Sequence, residues 1–295
     1  MFYLKIFYSV LFMNKKVCII LAIVLMAFLV MGSVSAGLFD FLGGGNNSTR
    51  VANNDSNLIV GFDAEFPPYG YSNDKGQYVG FDLDLAQEVC NRNNWTLVKQ
   101  PIDWDAKDSE LNSGTIDCIW NGFTIEGREN NYTWSEPYLD NKQLVVVKAN
   151  SNINSFNDLK GKNVEVQKDS SALAALKGDN KSLADTFGKM VEVADYNTAI
   201  MDLKSGACDA VALDSAVANY QVNGGNNTTG NNTGELKILN GSISSEHYGI
   251  GFKKDNTKLK NQVQKTLDEM YADGTVARIA QNYSSYGVPD SLIQK

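Results

Sequence analysis

Arg128 and Asp214 are the residues whose types and placement best suit chemistry, because each stands downstream of one copy of a repeated pattern. The first copy, Leu111-Asn112-Ser113-Gly114-Thr115-Ile116-Asp117-Cys118-Ile119, leads through Asn121-Gly122-Phe123-Thr124 to Arg128. The second, Leu203-Lys204-Ser205-Gly206-Ala207-Cys208-Asp209-Ala210-Val211, leads to Asp214. In each copy a helix ends at the glycine and a buried strand begins, which predicts two similar α/β units. A guanidinium donates two parallel hydrogen bonds to a carboxylate, and a carboxylate accepts from an ammonium. A cation from one unit would therefore face an anion from the other.

Other chemistries find no set of residues. His247 is the only histidine, so no Ser/His/Asp or Cys/His arrangement can be built. No cluster with metal-ligand spacing is visible, and neither a metal nor another cofactor is expected. The net charge is −8, and no Lys/Arg cluster follows the N-terminus, which argues against nucleic acid and anionic membrane surfaces as partners. With 43% hydrophobic and 20% charged residues over 295 positions, the chain reads as globular and long enough for two domains.

The first 36 residues read as a signal peptide. Lys15-Lys16 precede an apolar run from Val17 to Met31, and Gly32-Ser33-Val34-Ser35-Ala36 supplies small residues for cleavage; Met13 is an alternative start. A retained anchor is the competing reading, but a run of about 15 apolar residues falls short of the about 20 that a span needs. The mature chain is thus expected outside the cytoplasmic membrane: extracellular, periplasmic or at the cell surface. Cleavage removes Lys5, Lys15 and Lys16 and takes the net charge from −8 to −11. It also leaves three cysteines, Cys90, Cys118 and Cys208, an odd number read as core residues rather than a disulfide framework.

The elements that must position Arg128 and Asp214 alternate in type. Residues 37–56, rich in Gly and Asn, form a tether. Strands are expected at Leu58 to Phe62, Ile116 to Trp120, Leu144 to Val147, Val164 to Gln167, Gly206 to Leu213 and Tyr248 to Phe252. Between them lie helices from Phe81 to about Asn93, about Asp105 to Asn112, from Ser170-Ser171 onward and from Tyr196 to Ser205. Two more run from about Asn256 to Ala272 and to about Tyr283. Such alternation implies a largely parallel sheet. Asn223 to Gly234 is a surface loop with several Asn-x-Thr acceptor patterns.

Seven landmarks occur in order: Gly61-Phe62-Asp63 with Pro68-Tyr69; Gly80-Phe81-Asp82-Leu83-Asp84-Leu85; Ser113-Gly114-x-x-Asp117; Gly122-Phe123-Thr124-Ile125 with Arg128; Ser135-x-Pro137-Tyr138; Leu159-Lys160-Gly161; and Ala272-Asp273-Gly274-Thr275. Together they make Leu58 to Tyr283 resemble the amino-acid-binding family of extracellular solute-binding proteins (family 3), the capture components of ABC importers. The resemblance implies an α/β, two-lobed, periplasmic-binding-protein-like (type II) Venus-flytrap fold. Each lobe would be a mixed, mostly parallel sheet flanked by helices, and the chain would cross between lobes near Leu139 to Asn141 and near His247 to Tyr248. Lobe 1 would comprise residues 57–140 and 249–295, and lobe 2 residues 141–248.

The same resemblance implies a monomer that carries a free amino acid to membrane permease subunits and catalyses nothing. The ligand is a zwitterion whose two charges must both be matched on burial. Arg128, the Thr124 hydroxyl and N–H groups near Gly122 would meet its carboxylate, with Ser170 and Ser171 at a helix start across the cleft. Asp214 would accept from its ammonium. Asp63, Phe66, Trp120, Asn121 and Gln167 would shape side-chain selectivity, favouring polar or basic ligands. One departure stands out: the step from Thr124 to Arg128 is one residue shorter than is usual in the family, with Glu126 in place of a threonine. The alternative function is a cyclohexadienyl dehydratase-like lyase on the same fold, which would need a protonated carboxylic acid in the pocket; Glu126 is its candidate.

Overall fold

An apolar run forms strand β1 (Asn57–Phe62). The structure, a computed structural model, describes residues 57–224 and 234–295. The expected signal peptide and tether, and residues 225–233 with their Asn-x-Thr patterns, lie outside that range. Three short strands follow, β2 (Glu65–Phe66), β3 (Gly70–Ser72) and β4 (Tyr78–Val79), paired antiparallel in a small separate sheet. Then come helix α1 (Phe81–Asn93), β5 (Thr96–Pro101), α2 (Lys107–Ser113), β6 (Cys118–Thr124) and β7 (Thr133–Trp134). The long strand β8 (Leu139–Lys148) leads to β9 (Asn163–Gln167), α3 (Ser171–Lys177), α4 (Lys181–Ala184), β10 (Lys189–Val193), α5 (Tyr196–Ser205), β11 (Ala210–Asp214) and α6 (Ser215–Val222). The chain closes with β12 (Leu236–Ile238), a second long strand β13 (Ser244–Phe252), α7 (Thr257–Ala272) and α8 (Thr275–Gln281).

The strands run in the order β10-β9-β11-β8-β13-β6-β1-β5, with β12 and β7 added beside β8 and β13. On one side β9, β10 and β11 are parallel, and on the other β1, β5 and β6 are parallel. The two long strands join these halves antiparallel: Leu139 to Gln143 pairs with Tyr248 to Ser244. Beyond that shared stretch β8 turns to β11, and β13 turns to β6. The α/β sheet is therefore mixed, and its two halves form two lobes connected through β8 and β13.

The repeated pattern has one mechanical meaning in both lobes. Gly114 and Gly206 end α2 and α5 in the left-handed conformation, at φ 82° and 91°. Three residues later Asp117 accepts from the Ile59 N–H at 2.8 Å, while its own N–H donates to the Ile59 carbonyl. Asp209 treats Asn163 identically, accepting at 2.9 Å. Each aspartate thus docks its strand beside a neighbour.

The first repeated strand sits later than the sequence suggests. The N–H groups of Thr115 and Ile116 still donate to the Glu110 carbonyl, so the helix end holds the chain until Asp117. β6 then continues through Thr124, because Phe123 and Thr124 pair with Gly249 and Tyr248 of β13. Cys90, Cys118 and Cys208 are free and buried. Beyond Tyr283 the chain makes two 3-10 turns and bridges back, with the Ile293 N–H donating to the Tyr138 carbonyl.

Candidate functional site

A cavity of about 280 Å³, measured out to its mouth, lies between the lobes. Phe66, Trp104, Asn121, Gly122, Thr124 and Arg128 line it from one side and Gln167, Ser170, Ser171 and Asp214 from the other. Nine of the eleven residues singled out from the sequence therefore share one space; Asp63 and Trp120 do not line it.

Strand β6 supplies one wall and explains the misplaced tryptophan. Its alternate residues Cys118 and Trp120 enter one core cluster, while Ile119 and Phe123 enter another. Trp120 is 0% exposed and packs inside the lobe rather than on the pocket floor, which corrects its assignment as a ligand contact. Gly122 is required twice over. Its φ is 55°, and a Cβ there would lie 2.7 Å from Phe66 Cε1 and 3.0 Å from Tyr248 Cε2. Its N–H donates to Asp82 Oδ2 at 2.6 Å, so the helix α1 carboxylate fixes the wall from behind. Burial pushes Asp82 up to about 7, against the lowering by Gly122 and Tyr138.

Arg128 reaches the cavity despite the shortened step. Gly127 adopts φ 78°, and the Arg128 N–H donates to the Ile125 carbonyl at 2.9 Å, closing a tight turn. The guanidinium lies 5.2 Å above the Phe123 ring, within cation–π range. It donates to the Thr124 carbonyl at 3.3 Å and, across the cleft, to the Asp169 carbonyl at 2.9 Å. Glu126 points away to the hinge surface, where it accepts from the His247 N–H at 2.9 Å and meets the His247 ring. Burial raises Glu126, but the His247 backbone and ring bonds outweigh it, so the carboxyl ends below its ordinary value. Glu126 does not line the cavity, so it is not placed as the acid a lyase would need.

The opposite wall comes from the starts of two helices. Ser170 caps α3, its hydroxyl accepting from the Leu173 N–H at 3.2 Å. Ser171 donates to Glu246 Oε1 at 3.0 Å. Asp214 ends β11 and is fully buried. Its Oδ1 accepts from Asn141 Nδ2 at 2.7 Å, from Gln143 Nε2 at 2.6 Å and from the Tyr248 hydroxyl. Burial, then the charge of Glu246, pushes Asp214 up to about 7, despite those donors.

Asp63 stands behind the cavity rather than in it. Its N–H donates to Asn121 Oδ1 at 2.7 Å, and its Oδ2 accepts from Gln167 Nε2 at 2.6 Å across the cleft. Burial pushes it up to about 6. It opens onto a second, larger space of about 1230 Å³, measured in the same way and also bordered by Glu65, Asp103, Trp104, Asp105 and Asp195. Phe66 packs between Tyr69 and Tyr196, ring centroids 5.7 and 5.8 Å away.

Four contributors escaped the sequence reading. Trp104 ends the loop after β5 and lines both spaces. Lys107 is 1% exposed and forms an ion pair with Asp169 of the other lobe. Gln143 and Glu246 sit on the paired stretch of β8 and β13, beneath Asp214. An aromatic at a strand's C-terminal end was a usable signal for Trp104; nothing local marked the others.

This architecture, two α/β lobes joined by paired crossing strands with a charged cavity between them, defines a solute-binding protein of the type II flytrap class. Residues 58–286 match the family described as Bacterial extracellular solute-binding proteins, family 3, and the chain belongs to that family. It is similar to the L-cystine-binding protein TcyJ of Escherichia coli (strain K12), at 28% identity over 77% of this chain and 82% of the relative. Among solved structures it resembles a histidine-bound ABC uptake transporter substrate-binding protein from Streptococcus pneumoniae, with a TM-score of 0.71 and 31% identity over 77% of this chain and 92% of that one. An ancestral arginine-binding protein bound to glutamine gives 0.70 and 36%, over 78% and 98%.

Proposed function

We propose that this chain captures a free α-amino acid with a polar or cationic side chain and hands it, as a monomer outside the cytoplasmic membrane, to the permease of an ABC importer. The observation that carries the reading is that Arg128 and Asp214 line one cavity from opposite lobes. Arg128 would take the carboxylate; Asp214 would take the ammonium. The side chain would run past Phe66 and Trp104 toward Gln167 and Asp63, whose carboxylate suits an amide or a cation. The lobes, 57–140 with 249–295 and 141–248, would close about the paired stretch of β8 and β13.

The relatives named for cystine, histidine and arginine support an amino-acid ligand and leave its side chain open. A thermal-shift screen of the twenty amino acids and L-cystine tests the reading, since a ligand that binds only the folded state raises its melting temperature. At a ligand concentration of about 100 Kd the gain is about 2.7 kcal/mol. Silence from every amino acid would overturn the proposal.

A further inference from the structure

Asp214 and Glu246 are two carboxylates, 4% and 5% exposed, that draw on the same donors. Asn141 Nδ2 donates to Asp214 Oδ1 at 2.7 Å and to Glu246 Oε1 at 2.8 Å; Gln143 Nε2 donates to the same two atoms at 2.6 and 2.8 Å. The remaining partners are neutral: the Tyr248 and Tyr196 hydroxyls on Asp214, and the Thr124 and Ser171 hydroxyls on Glu246. Among the described residues no Lys, Arg or His side chain bonds either carboxylate. Arg128, which also lines the cavity, is committed to the Thr124 and Asp169 carbonyls.

The surroundings offer no second cation. Tyr248 from β13, Tyr196 from α5 and Tyr69 ahead of β3 face the pair, and burial raises all three phenols, so they stay neutral. Asp82 of α1 lies beyond Tyr69 and adds only negative field. His247, next along β13, turns outward to Glu126 and Asp140. Two buried like charges held by neutral donors are unfavourable, and a proton on one of them relieves the conflict. A further acceptor waits beside them: Gln143 Oε1 is buried with no hydrogen-bond partner.

We propose that Glu246 is a positioning residue for the ammonium end of the ligand, keeping a proton on Asp214 until the ammonium displaces it, so that capture releases a proton. The proposal rests on the amino-acid reading above. The step balances simply: the Asp214 O–H bond breaks, the proton leaves to solvent, and the ammonium, already charged, takes its place against the carboxylate.

Isothermal titration calorimetry at pH 7, in buffers of different ionisation enthalpy, tests this with L-glutamine and with L-arginine. Whichever binds should release about half a proton, and affinity should fall toward tenfold per pH unit as pH drops below 7. Glu246→Gln should lower the release at pH 7 and shift the affinity profile to lower pH, while Glu246→Asp, which keeps the charge, should retain it. Binding without proton release overturns the proposal, as does release that is undiminished in E246Q. A purely structural Glu246 would change affinity equally at every pH. Failure of every amino acid to bind overturns both readings together.

Discussion

At the residue scale, the site depends on a few side chains whose chemistry cannot be exchanged. Arg128 suits a carboxylate because its donors lie in one plane and its ring partner Phe123 holds that plane at 5.2 Å. Lysine keeps the charge but offers a single point. Arg128→Lys is expected to weaken amino-acid binding by about 10- to 100-fold, the loss of a charge-assisted hydrogen bond, with the melting temperature of the unliganded protein little changed. Calorimetry on the variant checks it. Arg128 and Asp214 were legible in the sequence because the repeat gave each a frame. Glu246, Gln143 and Lys107 were not, since their meaning comes from partners about a hundred or sixty positions away, brought near only by the β8–β13 register and by closure. Trp120 misled because its neighbour Asn121 lines the cavity while its own ring packs into the core of the lobe.

Asp82 makes a pH prediction at the same scale. Its folded value, about 7, lies above that of an exposed aspartate, so between about pH 4 and pH 7 the folded state binds more protons than the unfolded state. Stability is then lost as pH rises through that window, by up to roughly 1.4 kcal/mol per pH unit for such a group. Asp82→Asn keeps an acceptor for the Gly122 N–H and cannot ionise. Chemical denaturation from pH 5 to pH 8 should give the variant a flatter profile than the native protein; parallel profiles would exclude Asp82 as the source.

Among the elements, the repeated aspartates show how one pattern can carry unequal weight. Both tie a strand to its neighbour through a side-chain oxygen and a backbone N–H. The Asp117 bond is half-buried and the Asp209 bond exposed, so water can replace the second but not the first. Asp117→Ala should cost about 1–3 kcal/mol of stability and Asp209→Ala no more than about 1 kcal/mol, measured by urea unfolding. The strand–helix alternation and the helix-ending glycines could be read directly from the chain, which is why the fold class was. The small β2–β4 sheet and the edge strand β10 were missed because neither forms a long apolar run: β2 and β4 have two residues each, and β10 is half exposed.

For the molecule as a whole, closure is held by polar links between lobes: Gln167 to Asp63, Asn197 to Glu65, Arg128 to the Asp169 carbonyl and Lys107 to the Asp169 carboxylate. Asp169→Ala strips Lys107, which is 1% exposed, of its counter-charge when the lobes are shut and leaves it hydrated when they are open. The closed form should then be less populated, and apparent affinity falls in proportion. Stopped-flow measurements are expected to show at least threefold faster ligand release with an unchanged association rate; slower association instead would place the effect in the open form.

The three thiols have a use that lies outside ligand capture. Cys90 and Cys118 lie in α1 and β6 of one lobe, Cys208 just before β11 in the other, and burial raises all three well above an ordinary thiol. None can meet a reagent while its lobe is intact. Their alkylation rates, read separately by mass spectrometry, therefore act as two internal clocks. They time the unfolding of each lobe on its own, and would reveal whether a bound ligand makes the two run together.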